Sequence, residues 1–120
     1  MLDHVGIRTK KFAALAKFYQ KALAPLGYEK LVEFDEAAGF GRDQKPALWI
    51  GTSDEARSSI HLAFASPTRA AVQAFYEAAL ASGGRDNGKP GLRPDYHPHY
   101  YAAFVIDPDG NNIEAVCHAA

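Results

Sequence analysis

Two histidines and a glutamate are the residues best suited to joint chemistry: His4 in LDHVGI, His61 in IHLAF and Glu114 in NNIEAV. Alternation along a strand puts Asn112, Glu114 and Val116 on one face and Ile113, Ala115 and Cys117 on the other. A carboxylate in so apolar a run is costly unless it is paired, hydrogen-bonded or metal-bound. Two imidazoles and one carboxylate suit a divalent transition metal (Fe, Mn, Zn or Ni), with positions left open for water or substrate. Each residue also admits a plainer role: the histidines can donate to carbonyls, and the glutamate can face solvent from an edge strand.

Weaker candidates surround this set. His97 and His99 lie just before Tyr100 in a stretch rich in proline and glycine. An imidazole of ordinary pKa there could serve as acid or base over the metal, or simply be solvated. Tyr100 joins them as a candidate for catalysis. Tyr100 and Tyr101 must point to opposite faces of a strand, so one faces the cavity and the other packs on a helix. Arg8, Trp49 and Tyr101 are the candidates for holding substrate; Arg8 shares a strand face with His4 and could take an anionic group. His118 shares the parity of Glu114 but lies close to the C-terminus and reads as peripheral.

The elements that must position these residues come from a repeat. Sliding residues 60–84 back by 57 positions lays His61 on His4, Ala70-Ala71 on Ala13-Ala14 and Phe75-Tyr76 on Phe18-Tyr19. Ala79-Leu80-Ala81 then falls on Ala22-Leu23-Ala24, and Gly84 on Gly27. A histidine, an aromatic pair and a terminal glycine in one register indicate an internal duplication. It places His4 and His61 at the same point of two modules.

Within each module the pattern is strand, helix, then about three strands. Leu2 to Arg8 alternates as a strand, with His4, Gly6 and Arg8 on one face. Thr9 can cap a helix carrying Phe12, Leu15, Phe18, Tyr19, Ala22 and Leu23 at helical spacing, ended by Pro25 and Gly27. YEKLVEF, AAGFG and PALWIG read as three short strands. In the second copy Ser66 is the expected N-cap, with Pro67 at the first helical position, and Gly83-Gly84 is the stop. Arg85 to His99 holds three prolines and two glycines without hydrophobic periodicity and reads as a long loop, a candidate specificity lid. Tyr100–Ile106 and Asn112–His118 read as a hairpin joined through Asp107-Pro108-Asp109-Gly110.

A chain of 120 residues without a polar linker is expected to be one domain, modules 1–56 and 57–120 sharing a core. Thirteen basic against 14 acidic side chains, with no basic run beyond Lys10-Lys11, argue against a nucleic-acid partner. No apolar run is long enough to span a bilayer, and MLDHVGIRTKK lacks a signal-peptide core. The single Cys117 excludes an intrachain disulfide, and a cytoplasmic location is the expectation.

LDHVGI, IHLAF and DPDGNNIEAV together resemble the vicinal oxygen chelate superfamily, which includes glyoxalase I, extradiol dioxygenases, fosfomycin-modifying enzymes and bleomycin-resistance proteins. The resemblance covers nearly the whole chain. It implies an α+β fold of two tandem βαβββ modules forming a cupped mixed sheet with helices outside. It places His4, His61 and Glu114 at metal-ligand positions, and it implies a homodimer and a small oxygen-bearing substrate chelated to the cation. Opposite Glu114 the first module offers Ile50, or Trp49 after a slip of one, where glyoxalase I has a glutamate. That departure makes the chain look more like the three-ligand members, the dioxygenases and the fosfomycin group, than like glyoxalase I. The resemblance as a whole implies a metal-dependent lyase, isomerase or dioxygenase; the alternative is a non-catalytic protein of the bleomycin-resistance type that binds a drug or antibiotic and needs no metal.

Overall fold

The computed structural model describes residues 2–55 and 59–120, so the expected module boundary at 56/57 lies outside the described residues. The first module runs β1 (Val5–Thr9), α1 (Phe12–Leu23), a 3-10 turn (Ala24–Leu26), β2 (Glu29–Glu33), β3 (Ala37–Arg42) and β4 (Lys45–Thr52). The second runs β5 (His61–Ala65), α2 (Arg69–Ala81), β6 (Arg85–Leu92), β7 (Tyr101–Ile106) and β8 (Asn112–Cys117). The order βαβββ is thus repeated, as the duplication requires. Each module forms a four-stranded mixed sheet, ordered β1-β4-β3-β2 in one and β5-β8-β7-β6 in the other.

Helical spacing decides what the helices bury. In α1, Leu15, Phe18, Tyr19, Ala22 and Leu23 recur at intervals of three and four and are fully buried, as are Val72, Phe75 and Ala79 of α2. They meet Ile7, Phe40, Leu48 and Ile50 from one sheet and Val105, Ile113 and Ala115 from the other, so both modules contribute to one core. A buried polar knot adds to this. Asp107 accepts from the Tyr19 hydroxyl at 2.6 Å, from Asn111 Nδ2 at 2.8 Å, and from the amides of Asp109 and Asn111 at 2.8 and 2.9 Å. This ties α1 of the first module to the β7–β8 turn of the second. Gly110, at φ +95°, closes that turn in the left-handed region where a Cβ is penalised.

Three local expectations are corrected. The stretch Arg85–His99 is not one long loop: its first eight residues form β6, and only 93–100 connect β6 to β7. Among the described residues β6 pairs with β7 alone and takes register shifts between Asp86, Gly88 and Gly91, so an edge position with bulges absorbs Pro90 and the glycines. The cap of α2 is Thr68 rather than Ser66, its Oγ1 accepting from Ala71 N at 3.0 Å. Ser66 instead donates to the Thr68 carbonyl at 2.7 Å, and Pro67 stands before the cap, outside the helix. Finally, β1 begins at Val5, leaving His4 just ahead of the strand rather than on it.

Candidate functional site

The face of the second sheet turned away from α2 gathers most of the chemistry. Parallel pairing sets His61 beside Asn112, Ala63 beside Glu114 and Ala65 beside Val116. Antiparallel pairing sets Phe104 beside Glu114 and Ala102 beside Val116. Side chains of one parity therefore share this face, while Leu62, Phe64, Ile113 and Ala115 point into the core.

Glu114 is the centre. It is only 2% exposed although it lies on the open face, because its neighbours cover it. His61 Nε2 stands 3.0 Å from Oε1, and the Tyr100 hydroxyl donates to Oε2 at 2.5 Å. His61 Nδ1 is 3.0 Å from the carbonyl of Asn112, which can only accept, so Nδ1 carries the hydrogen. In the neutral ring this leaves the Nε2 lone pair facing a carboxylate oxygen. Two acceptors so placed need a proton or a cation between them. Two ligand atoms, each ~2.1 Å from a cation and at right angles, are about 3.0 Å apart, so the donor pair fits a metal. A ligating histidine held by a carbonyl through its other nitrogen is the usual supporting arrangement.

Tyr100 is itself boxed in. The rings of Tyr96, His97 and His118 meet it edge-on, with centroids 4.8, 5.4 and 5.3 Å away. The His99 amide donates to His97 Nδ1 at 3.0 Å, so His97 Nε2 bears the hydrogen given to His118 Nδ1 at 2.7 Å. Burial first, then the hydrogen bond to Glu114, pushes the Tyr100 phenol up to about 12, which keeps it a donor at neutral pH. Phe104 completes the floor: His61 stacks over it at 6.2 Å, and Arg93 lies over the ring at 5.4 Å with its guanidinium held by the carbonyls of Lys89 and Gly91.

His61, Glu114, Tyr100 and His97 are thus brought together. His4 is not. Its Nδ1 is taken by Asp3 at 2.8 Å, it is exposed, and it borders a cavity of about 230 Å³ with Tyr28, Leu48 and Phe64. Among the described residues no group of three or more His, Cys, Asp and Glu is placed to hold a metal, so the expected convergence of His4, His61 and Glu114 is absent within the chain. β1 stops short of His4, and the two sheets are separate ladders, so the strand register that aligns His61 with Glu114 does not reach it.

The other expected residues divide by face. His99 contributes its amide, while its ring is exposed. Tyr101 points to the helix side, its hydroxyl accepting from Gln73 Nε2 at 2.8 Å and its ring lying under Arg69. Arg8 is exposed on the first sheet, and Trp49 lies across Gly39, where a Cβ would come within 3.1 Å of the indole. Trp49 pairs with Gly6 as Glu114 pairs with Ala63, and Gly6 and Ala63 are 57 apart, so Trp49 occupies the place of Glu114 in the first module. His118, Phe104 and Arg93 were missed as site residues. Parity with Glu114 pointed to His118, but its place near the chain end argued the other way.

No match is found among curated proteins. Among solved structures, a glyoxalase/bleomycin resistance protein from Albidiferax ferrireducens is 27% identical with a TM-score of 0.82, covering 98% of each chain. A glyoxalase/bleomycin resistance protein/dioxygenase family enzyme from Burkholderia phytofirmans has a TM-score of 0.74 at 20% identity, again covering 98% of each. A lactoylglutathione lyase from Agrobacterium tumefaciens has a TM-score of 0.70 at 16% identity, covering 98% of this chain and 92% of its own, a likeness of fold. A family model matches residues 1–115, and the chain belongs to the glyoxalase/bleomycin resistance protein/dioxygenase superfamily.

Proposed function

We propose that the protein is a metal-dependent enzyme of this superfamily that acts on a small oxygen-bearing substrate, with His61 Nε2 and Glu114 Oε1 holding a divalent cation. The observation behind this reading is the 3.0 Å approach of two acceptors, one belonging to a buried carboxylate and the other to a ring oriented by a carbonyl. A bound cation would supply Lewis acidity towards a chelated oxygen. The chain's own residues supply the rest. Asn112 orients His61, Tyr100 holds the second oxygen of Glu114, and Phe104 gives an apolar floor beside them. His97 and His118 share a hydrogen at 2.7 Å on the same face, which suits them to hold or pass a proton at its rim. His99 and Tyr101 have the weaker claims, since one ring is exposed and the other lies on the helix side.

His4 is the third donor of this proposal and reaches the site from a second copy, in a homodimer where the open face of one chain's first sheet covers that of the other's second. Arg8 and Trp49 would then line the far wall. Mixing His4→Ala and His61→Ala proteins tests this. Each alone should bind metal poorly, whereas a heterodimer rebuilds one of its two sites with all three donors; with about half the dimers mixed after exchange, binding should recover to about a quarter of the wild-type capacity. No recovery, together with a monomer by sedimentation, would refute the shared site. Wild-type protein purified without chelator and free of stoichiometric metal would favour the sequestering, non-catalytic reading.

A further inference from the structure

We infer that Tyr100 is a positioning residue that leaves Glu114 only one oxygen to offer, and that it thereby tunes the site towards small transition-type cations and against calcium. This rests on the metal reading above. The hydroxyl donates to Oε2 at 2.5 Å, while His61 stands against Oε1, so the two oxygens have different partners. A carboxylate with one oxygen already engaged binds a cation through the other alone. Calcium needs six to eight oxygen ligands and often gains two of them from one bidentate carboxylate, whereas zinc and its neighbours accept one oxygen beside an imidazole.

The arrangement is built to persist. Edge contacts from Tyr96, His97 and His118 fix the Tyr100 ring, and the 2.7 Å bond between the two imidazoles ties the loop before β7 to the residue after β8. Swinging the phenol away from Glu114 means breaking that box. Glu114 is 2% exposed and each of its oxygens already has a partner, so turning the carboxylate to present both would break the bond to Tyr100.

The test uses full-length protein stripped by chelator, titrated separately with Zn²⁺ and Ca²⁺ in equilibrium dialysis, with Co²⁺ absorption as a report on geometry. Wild type should take Zn²⁺ stoichiometrically and Ca²⁺ far more weakly. Tyr100→Phe should weaken Zn²⁺ by about 10- to 100-fold, the usual effect of losing such a supporting partner, narrow the preference over Ca²⁺ and change the Co²⁺ spectrum. Identical Zn²⁺ affinity, preference and Co²⁺ spectrum in the variant would overturn the role of Tyr100 while leaving the metal reading intact. Wild-type protein that binds no Zn²⁺ would overturn both. A second measurement needs no variant: infrared difference spectra on Zn²⁺ binding should show the wide carboxylate splitting of one-oxygen ligation, and the narrow splitting of two-oxygen ligation would refute the inference.

Discussion

Replacing Tyr19 by phenylalanine removes one of four donors from the Asp107 carboxylate without changing the shape of the buried ring. Both residues are buried, Tyr19 completely and Asp107 to 2% exposure, so water cannot replace the lost donor. A hydrogen bond to a charged acceptor contributes roughly 1.5–3 kcal/mol, and the three remaining donors keep the carboxylate from being orphaned, so about 2 kcal/mol is expected. Unfolding entropy near 2.1 cal/mol/K per residue converts this, for 120 residues, into a fall in melting temperature of about 8 °C. Urea unfolding followed by both fluorescence and circular dichroism is the assay, because the bond joins α1 to the β7–β8 turn and the two modules should still unfold together. The double-mutant cycle with Asp107→Asn isolates the pair. A coupling below about 0.5 kcal/mol, or a melting shift under about 2 °C, would show that the knot does not join the modules as argued.

Burial, followed by the Asp107 charge, raises the Tyr19 phenol well above its ordinary value of 10.0. Its contribution is therefore complete below pH 10 and is withdrawn as pH climbs towards the raised value, so wild type should lose more stability than Tyr19→Phe between pH 9 and 11.5 in thermal melts. At Gly84 a Cβ would lie 2.8 Å from Phe18 Cε1 and 2.9 Å from the Ala79 carbonyl, so Gly84→Ala should cost about 1–3 kcal/mol by denaturant titration. Asp43 and Gln44 turn between β3 and β4 with φ of 52° and 64°, and Gln44→Gly should relieve left-handed strain and gain about 0.5–1 kcal/mol in the same assay.

What could be read along the chain was whatever depends on near neighbours. The 57-residue repeat, the helix faces at Leu15–Leu23 and Val72–Ala79, the strand triplet after Gly27 and the DPDG turn all follow from periodicities and turn chemistry held within a few residues. Glu114 was legible for the same reason, as a charge on an alternating apolar strand, whereas Tyr100 stands just ahead of β7 and is turned to Glu114 by the loop before it rather than by strand alternation. Ser66 followed by Pro67 reads as a helix start, but the hydroxyl that reaches the free amide of Ala71 is that of Thr68, and only the folded geometry decides between them. β6 was hidden because Pro90, Gly88 and Gly91 suppress strand patterning, and its ladder exists only because β7 lies alongside. Trp49 rather than Ile50 mirrors Glu114 because pairing register, which no local signal specifies, decides it. The site itself belongs to the tertiary structure. His118 meets His97 only when the segment after β8 folds against the loop before β7, and His4 stays apart because the placement of one sheet against the other is set by the helices and the Tyr19–Asp107 knot, not by the repeat that makes His4 and His61 equivalent.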